Sequence, residues 1–344
     1  MLKTAEAVSL GHPDKISDYI SSYILDRMIE MDSSVKYAVE VMVKDNTVVL
    51  GGEITGDVDL SNVCEYVKSA LREIGYDSHY SSIWGDYAIN INKLNVINLV
   101  GVQSPDINRG VETGAWGDQG VFVGYACHGP DNINLELYLA RKLNRALYDL
   151  AKDSDNLGLD IKTQITVDEH GKIKTAIVAI PMLQQQDLTQ FIIDALGQTP
   201  VDIIVNGTGI YTYHSSIADC GVTGRKLACD FYSTASPIGG GSPWTKDATK
   251  ADLTLNLYAR YLALENLGRN DECWVYLSSC IGQKLLPSGL IKTIRNGVIT
   301  ERDLFCIHPP RELIKFLGLD EPIYTKLCTR GLQSLQVVPN AVHE

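Results

Sequence analysis

The chain has 344 residues, 45% of them hydrophobic and 21% charged, a soluble globular composition with length enough for two or three domains. A formal net charge of −12 argues against nucleic acid or an anionic membrane surface as a partner, and no apolar run approaches the ~20 residues that span a bilayer. The N-terminus "MLKTAEAVSLGHPDK" has no signal-peptide core and the eight cysteines form no CxxC pair, which points to reduced, mostly buried thiols in a cytoplasmic protein and away from a zinc site.

In chain order, "GHPDK" (11–15) opens a helix whose apolar stripe is Ile16, Ile20, Tyr23, Ile24 and Met28, with Pro13 in its first turn. His12 and Asp14 therefore sit at a helix N-terminus, a natural anion site. Asp14 is there either as a helix-start charge or as a ligand of a Mg2+ that accompanies the anion. "KYAVEVMVK" (36–44), the turn "DNT" and "VVLGGEITG" (48–56) alternate with period two and predict a hairpin, followed by a helix on Leu60, Val63, Val67, Ala70, Leu71 and Ile74 with Gly75 as its C-cap. "GAWGDQG" (114–120) is too rich in glycine for helix or strand; something comes close to it, or it moves.

The plan then repeats. "IKTQITV" (161–167) and "IKTAIVAI" (173–180) predict a second hairpin, "QDLTQFIIDALG" (186–197) a second helix. "CWVYLSSCIG" (273–282) and "LIKTIRNGVI" (290–299) predict a third hairpin, "ERDLFCIHPPRELIKFLG" (301–318) a third, proline-broken helical stretch. Each helical unit begins with Asp-Leu, at 59–60, 187–188 and 303–304. The reading is an α+β fold of three similar units, each a sheet with one face covered by helices, over residues 1–102, 112–226 and 227–344.

Cations gather where the net charge would not suggest it. Arg225 and Lys226 follow glycine in "GRK", and "GGGSPWTKDATKAD" (239–252) runs from a glycine turn through Lys246 and Lys250 into the helix "ADLTLNLYARYLALENLG". Bare glycine amides can cradle phosphate, although this is no Walker A loop. Lys246 and Lys250, four apart, are expected to share a helix face, and Asp252 offers a second hard-oxygen ligand for Mg2+. Glu40 and Lys162 are charged residues inside apolar strands; by pattern alone they mark only a solvent face, Lys162 sharing its face with Gln164 and Thr166.

The motifs "GHPDK", "GGEIT" (51–55), "QSPDIN" (103–108), "GDQG" (117–120), "DCGVTGRK" (219–226) and "GGG…KDATKAD" (239–252) occur in the order that resembles S-adenosylmethionine synthetase, and the resemblance runs from about residue 5 to "EPIYTK" (321–326). It implies three similar α+β domains with pseudo-threefold symmetry. It implies that methionine sulfur attacks C5′ of ATP and displaces tripolyphosphate, which is then hydrolysed to pyrophosphate and phosphate. By this similarity His12 stabilises the departing tripolyphosphate, and Lys162, Arg225, Lys226, Lys246 and Lys250 hold its oxygens. Asp14 and Asp252 would coordinate Mg2+, two ions per site, and Glu40 K+. Glu53, Gln103 and Asp219 match methionine contacts, Asp118 an adenosine contact, Tyr211 the ring that packs on adenine, and Ile281 a further substrate contact. "QSPDIN" belongs to a loop that closes over the site, with "GDQG" beside the nucleoside. Substrates are ATP and L-methionine, and the minimum assembly is a homodimer with active sites between subunits, pairing of two dimers left open.

The sequence departs from the family pattern at the nucleoside end. Leu10 stands where "SEGHPDK" has glutamate, Trp116 interrupts "GAGDQG", Ile210 and Tyr211 stand where "NPTGRF" has arginine and phenylalanine, and both the 103–118 stretch and the whole chain are short for the family. The expectation is a divergent, active synthetase. The alternatives are an altered nucleoside or methionine-analogue preference, a tripolyphosphatase alone, or a non-catalytic regulatory subunit; the intact charge set weighs against the last.

Overall fold

The computed structural model describes residues 1–102, 114–304 and 308–332. Its first third holds β1 (Lys3–Val8), α1 (Pro13–Met31), β2 (Lys36–Lys44), β3 (Thr47–Thr55), α2 (Val63–Ile74), α3 (Ser78–Trp84) and β4 (Asn95–Gly101). The middle holds β5 (Gly120–Cys127), α4 (Leu135–Lys152), β6 (Lys162–Val167), β7 (Ile173–Ala179), α5 (Thr189–Leu196), β8 (Asp202–Val205) and α6 (Ser215–Ala218). The last part holds β9 (Gly221–Val222), α7 (Leu227–Asp230), α8 (Ala251–Leu267), β10 (Glu272–Ser279), β11 (Ser288–Arg295), β12 (Val298–Asp303), α9 (Pro310–Phe316) and α10 (Tyr324–Arg330).

These elements form an α+β fold of three four-stranded sheets, ordered β4-β3-β2-β9, β1-β6-β7-β8 and β12-β11-β10-β5. Each sheet is built on one of the three predicted hairpins, and a long helix, α1, α4 or α8, precedes each hairpin. Each sheet also takes an edge strand from another repeat. β1 precedes α1 but pairs antiparallel with β6; β5 precedes α4 but pairs with β10; β9 precedes α8 but pairs with β2. The exchange is cyclic once β9, which lies ahead of residue 227, is counted with α8 in the third repeat, so the three repeats are tied together by backbone hydrogen bonds as well as by a shared core. Alternating burial along β2, with Tyr37, Val39, Val41 and Val43 inside, leaves Ala38, Glu40 and Met42 on the open face, as the period-two pattern requires.

The third repeat breaks the pattern. In the first two, helices separate the hairpin from a parallel fourth strand. In the third, the predicted strand 290–299 is cut by Asn296-Gly297, whose φ values of 49° and 77° make the turn that two-residue hairpins favour. Residues 298–303 consequently run as β12 antiparallel to β11. Asp59 and Asp187 do lie just ahead of helices, each accepting an amide hydrogen bond from two residues on (Ser61 and Thr189), but Asp303 ends a strand. The third helix is therefore confined to Pro310–Phe316.

α1 shows why an apolar stripe is only half the description of a central helix. Its second face, Asp14, Lys15, Ser17, Asp18, Ser21, Ser22 and Asp26, is buried too, and packs against β9, α10 and the 222–230 region. Gly124 shows how tightly α8 lies on β5: a Cβ there would sit 2.0 Å from the Ala259 carbonyl and 2.3 Å from the Arg260 nitrogen. These are backbone atoms of a helix and cannot rotate away. Gly124→Ala is expected to cost at least about 3 kcal/mol, read from denaturant or thermal melts; a variant as stable as the wild type would show that α8 and β5 separate freely.

Candidate active site

The site is built from the N-terminus of α1 outward. His12 is the N-cap of α1 and Pro13 its first residue. The His12 Nδ1 accepts the Asp14 amide at 3.1 Å, which leaves Nε2 as the nitrogen that carries a proton. Burial, reinforced by the charges of Lys226 and Lys162, lowers the His12 pKa to about 3. His12 is therefore a neutral hydrogen-bond donor at physiological pH, held among cations at a helix N-terminus.

Asp14, in the first turn of α1, is fully buried and clamps the stretch from Val222 to Lys226. Its Oδ1 accepts the Val222 amide at 2.9 Å; its Oδ2 takes the Lys226 Nζ at 2.6 Å, and the Arg225 Nε lies 3.6 Å from Oδ1. One turn further on, Asp18 accepts the Gly224 amide at 2.8 Å. Two carboxylates of one helix thus hold the "GRK" turn, at φ 74° for Gly224, and aim two cations at the end of α1. Lys162 joins them from β6, through the pairing of Val8 with Lys162, and Asp219 from the end of α6; both act on the His12 charge.

The neighbouring loop continues the row of charges. Val222-Thr223 leads to Glu40, whose carboxylate accepts hydrogen bonds from the Thr223 hydroxyl and, at 3.2 Å, from the Thr245 hydroxyl. Lys246 lies next, bridged to Ala38 of β2, and pairs with Asp252, which also accepts the Gly241 amide at 2.7 Å. This corrects the helical reading of "TKDATK". Helix α8 begins at Ala251 with Lys250 as its N-cap, so Lys246 belongs to an extended segment and shares no helix face with Lys250. The physical reason is the β2 edge, which captures residues 245–247 through amide bonds between Val39 and Thr245 and between Asp247 and Tyr37. Glu53 lies on the same open face as Glu40, since Ala38 pairs with Glu53 and Glu40 with Gly51.

The other predicted substrate contacts fall into two further places. Tyr211 is half-buried on the 206–219 segment, its hydroxyl pushed well above its ordinary pKa by burial and by the nearby Asp160; Ile210 beside it is exposed. Asp118 and Ile281 gather with each other, through the Ser279 hydroxyl on the Asp118 carbonyl (2.8 Å) and paired amide bonds between Trp116 and residues 282–283. Among the described residues, no hydrogen bond or ion pair carries that patch to the His12 cluster. Gln103 lies outside the described residues. Two cavities, of about 660 and 400 Å³, lie beyond the C-terminal end of α1 and behind its first turn, and among the described residues neither is lined by a predicted site residue. The charged row lies outside both.

Sequence reasoning missed four contributors. Thr223 and Thr245 carry no signal as partners of Glu40, because their pairing exists only across two loops. Asp160, whose carboxyl is raised to about 6 by burial, had one: an acid two residues before Lys162 in an apolar run. Lys15, bound to both Asp18 and Asp230, was visible as a Lys-Asp pair three apart on one helix face.

The carboxylates fit a divalent ion in chemistry: Asp14 and Asp252 are hard oxygen donors, each compensated here by a lysine that an incoming phosphate could take over. Glu40 with two hydroxyls offers oxygens suited to a monovalent cation.

Comparison with known proteins gives one consistent result. Three domain signatures match: S-adenosylmethionine synthetase, N-terminal domain, over residues 1–105; the central domain over 112–209; and the C-terminal domain over 214–339. The chain is 32% identical to the S-adenosylmethionine synthase of Borreliella afzelii over 367 residues, covering 95% of this chain and 91% of that one. It is 34% identical to that of Helicobacter hepaticus over 363 residues, covering 96% and 92%. A solved structure of an unusual S-adenosylmethionine synthetase from Campylobacter jejuni superimposes with a TM-score of 0.83 at 28% identity, over 99% of this chain and 98% of that one.

Proposed function

The chain belongs to the S-adenosylmethionine synthetase family, and from that premise we infer that it makes S-adenosylmethionine from ATP and L-methionine. The observation that supports this best is the convergence of a neutral His12 with Asp14, Lys162, Asp219, Arg225 and Lys226 around one helix N-terminus. The methionine sulfur is a neutral nucleophile, so no general base is required. It forms the S–C5′ bond as the C5′–O bond breaks, and the electrons leave on tripolyphosphate. The work left to the protein is alignment and stabilisation of that leaving charge. His12 donates a hydrogen bond at the C5′ end; Lys162, Arg225, Lys226, Lys246 and Lys250 bind the phosphate oxygens. Asp219 and Glu53 hold the ammonium end of methionine together with Gln103. Tyr211 stacks on adenine, as its aromatic face permits, and Asp118 and Ile281 complete the nucleoside contacts.

Asp14 and Asp252 would hold Mg2+ and Glu40 would hold K+; bound there, these ions neutralise the polyphosphate. The released tripolyphosphate is hydrolysed at the same row of cations to pyrophosphate and phosphate. The assembly is a homodimer. Its support is the open face of the first sheet, where Met42, Ile97 and Leu99 are 41%, 39% and 66% exposed on the face that carries Glu40 and Glu53. A second copy on that face would cover the row of charges and bring an Asp118–Ile281 patch to it. A cytoplasmic location follows from the substrates and the reduced cysteines, all seven described ones being free.

Purified protein incubated with ATP, Mg2+, K+ and methionine is expected to yield S-adenosylmethionine by mass spectrometry, with pyrophosphate and phosphate in equal amounts. Phosphate from added tripolyphosphate with no adenosyl product would overturn the synthetase reading in favour of a phosphatase.

A further inference from the structure

Tyr211 and Asp219 lie on a segment with only one short helix of its own, α6, yet the segment is anchored by three consecutive buried residues between them, His214, Ser215 and Ser216, of which His214 makes the bond to α3. His214 is 1% exposed. Its Nδ1 lies 2.7 Å from the Thr212 carbonyl oxygen and so carries the ring proton; Nε2 is then bare and accepts the Tyr80 hydroxyl at 2.5 Å. The Tyr80 oxygen in turn accepts the Leu159 amide at 3.2 Å. Burial lowers the His214 pKa to about 4, so this order of donors and acceptors persists at physiological pH. The imidazole stands edge-on to Trp84, with centroids 4.7 Å apart at 81°.

The flanking bonds point the same way. The His214 amide donates to the Tyr87 carbonyl at 2.8 Å, and the Ser215 amide to Asp160 Oδ2 at 2.9 Å. Ser215 is held at φ 52°, a left-handed conformation that L-residues avoid, so the surroundings impose it. Leu159 and Asp160 directly precede Ile161 and Lys162. A line of hydrogen bonds therefore runs from Leu159, three residues ahead of β6, through Tyr80 of α3, to His214 between Tyr211 and Asp219.

We propose that Tyr80 and His214 are positioning residues that fix the Tyr211–Asp219 segment relative to Lys162, and so match the nucleoside and methionine end of the site to its phosphate end. The inference rests on the assignment of Tyr211, Asp219 and Lys162 given above. Neither Tyr80 nor His214 touches substrate in this scheme. Without their bond the 206–219 segment shifts, whereas His12, Lys162 and Lys226 remain held by α1 and the sheet. Misplacement by about 1 Å can cost up to about a hundredfold in rate.

The test is calorimetric binding and steady-state kinetics on the full chain with Mg2+. Tyr80→Phe keeps the ring against Trp84 and removes only the hydroxyl. It is expected to weaken ATP binding and kcat/KM for synthesis by about tenfold or more, while tripolyphosphate binding stays within about twofold. His214→Gln, whose side-chain carbonyl can accept the Tyr80 hydroxyl, is expected to retain most of the ATP affinity, and His214→Leu to lose it. Equal weakening of both ligands in Tyr80→Phe, no weakening of either, or a Gln variant as poor as the Leu variant would overturn the proposal. Wild-type protein that binds tripolyphosphate but not ATP would instead overturn the assignment of residues 211–219, and the proposal with it.

Discussion

Replacing Lys162 with methionine is expected to lower kcat for S-adenosylmethionine synthesis by about a hundredfold or more, while ATP affinity changes by less than about tenfold. Lys162 opens β6 with its side chain on the exposed row of the strand, beside the buried His12. Among the described residues no carboxylate is in ion-pair contact with it, in contrast to Lys226 and Lys246. Among the described residues it therefore has no ion-pair partner to strand, and the acid its loss affects is Asp160, whose ionised form its charge favours. Any loss then reports on the charge that builds up on the leaving group. Lys246→Met is the instructive comparison. It too removes a phosphate cation, but it strips Asp252 of its partner, so its effect should include weaker Mg2+ dependence as well as lower turnover. Steady-state rates with methionine saturating, set beside ATP affinities from direct binding, separate the two. Turnover unchanged in both variants would sink the phosphate-holding assignment.

How far these residues could be read from the sequence depended on the range of the interactions that place them. The hairpins and the helices with Gly75 and Gly197 as left-handed C-caps are local, and period and turn chemistry sufficed. His12 and Asp14 were legible because Pro13 marks a helix start. The third repeat departs from its expected form at Asn296-Gly297, a local turn signal set inside a run that otherwise alternates as one strand. The cyclic exchange of β1, β5 and β9 leaves no local trace, because register across a hundred residues is settled by which edges meet in the folded chain. The same holds for Lys246: its spacing to Lys250 suggested a helix, and the β2 edge won. Glu40 illustrates the limit. Its place on an open strand face was readable, but its function depends on Thr223 and Thr245, which only the folded loops bring to it.

The largest effect on stability is expected from a residue of the same "GHPDK" motif that takes no part in the chemistry. Lys15 is 3% exposed, and its Nζ donates to Asp230 at 2.7 Å and to Asp18 at 3.2 Å while lying over the Trp244 ring. The Trp244 indole donates to the same Asp230 oxygen at 2.8 Å. Burial alone would strip the Lys15 proton, but the attraction of Asp230 and Asp18 outweighs it and holds the ammonium above its ordinary pKa. Lys15→Met leaves two buried carboxylates facing each other, and breaking a buried pair in this way costs about 3–5 kcal/mol, a melting temperature lower by roughly ten degrees. The loss should depend on pH with a definite sign. Burial already raises the Asp18 carboxyl, and without Lys15 it rises further. A raised carboxyl binds its proton more tightly in the folded than in the unfolded chain. Its stabilising contribution is therefore complete below the unfolded value near 4 and is lost as pH rises through the folded value. The variant should be closest to wild type near pH 5 and weakest near pH 8. Adding Asp230→Asn to Lys15→Met should restore part of the loss at pH 8, because one of the two facing charges is gone. A Lys15→Met protein that melts with the wild type at both pH values would show that the cluster is neutral or hydrated, and that the "GRK" turn is held by Asp14 alone.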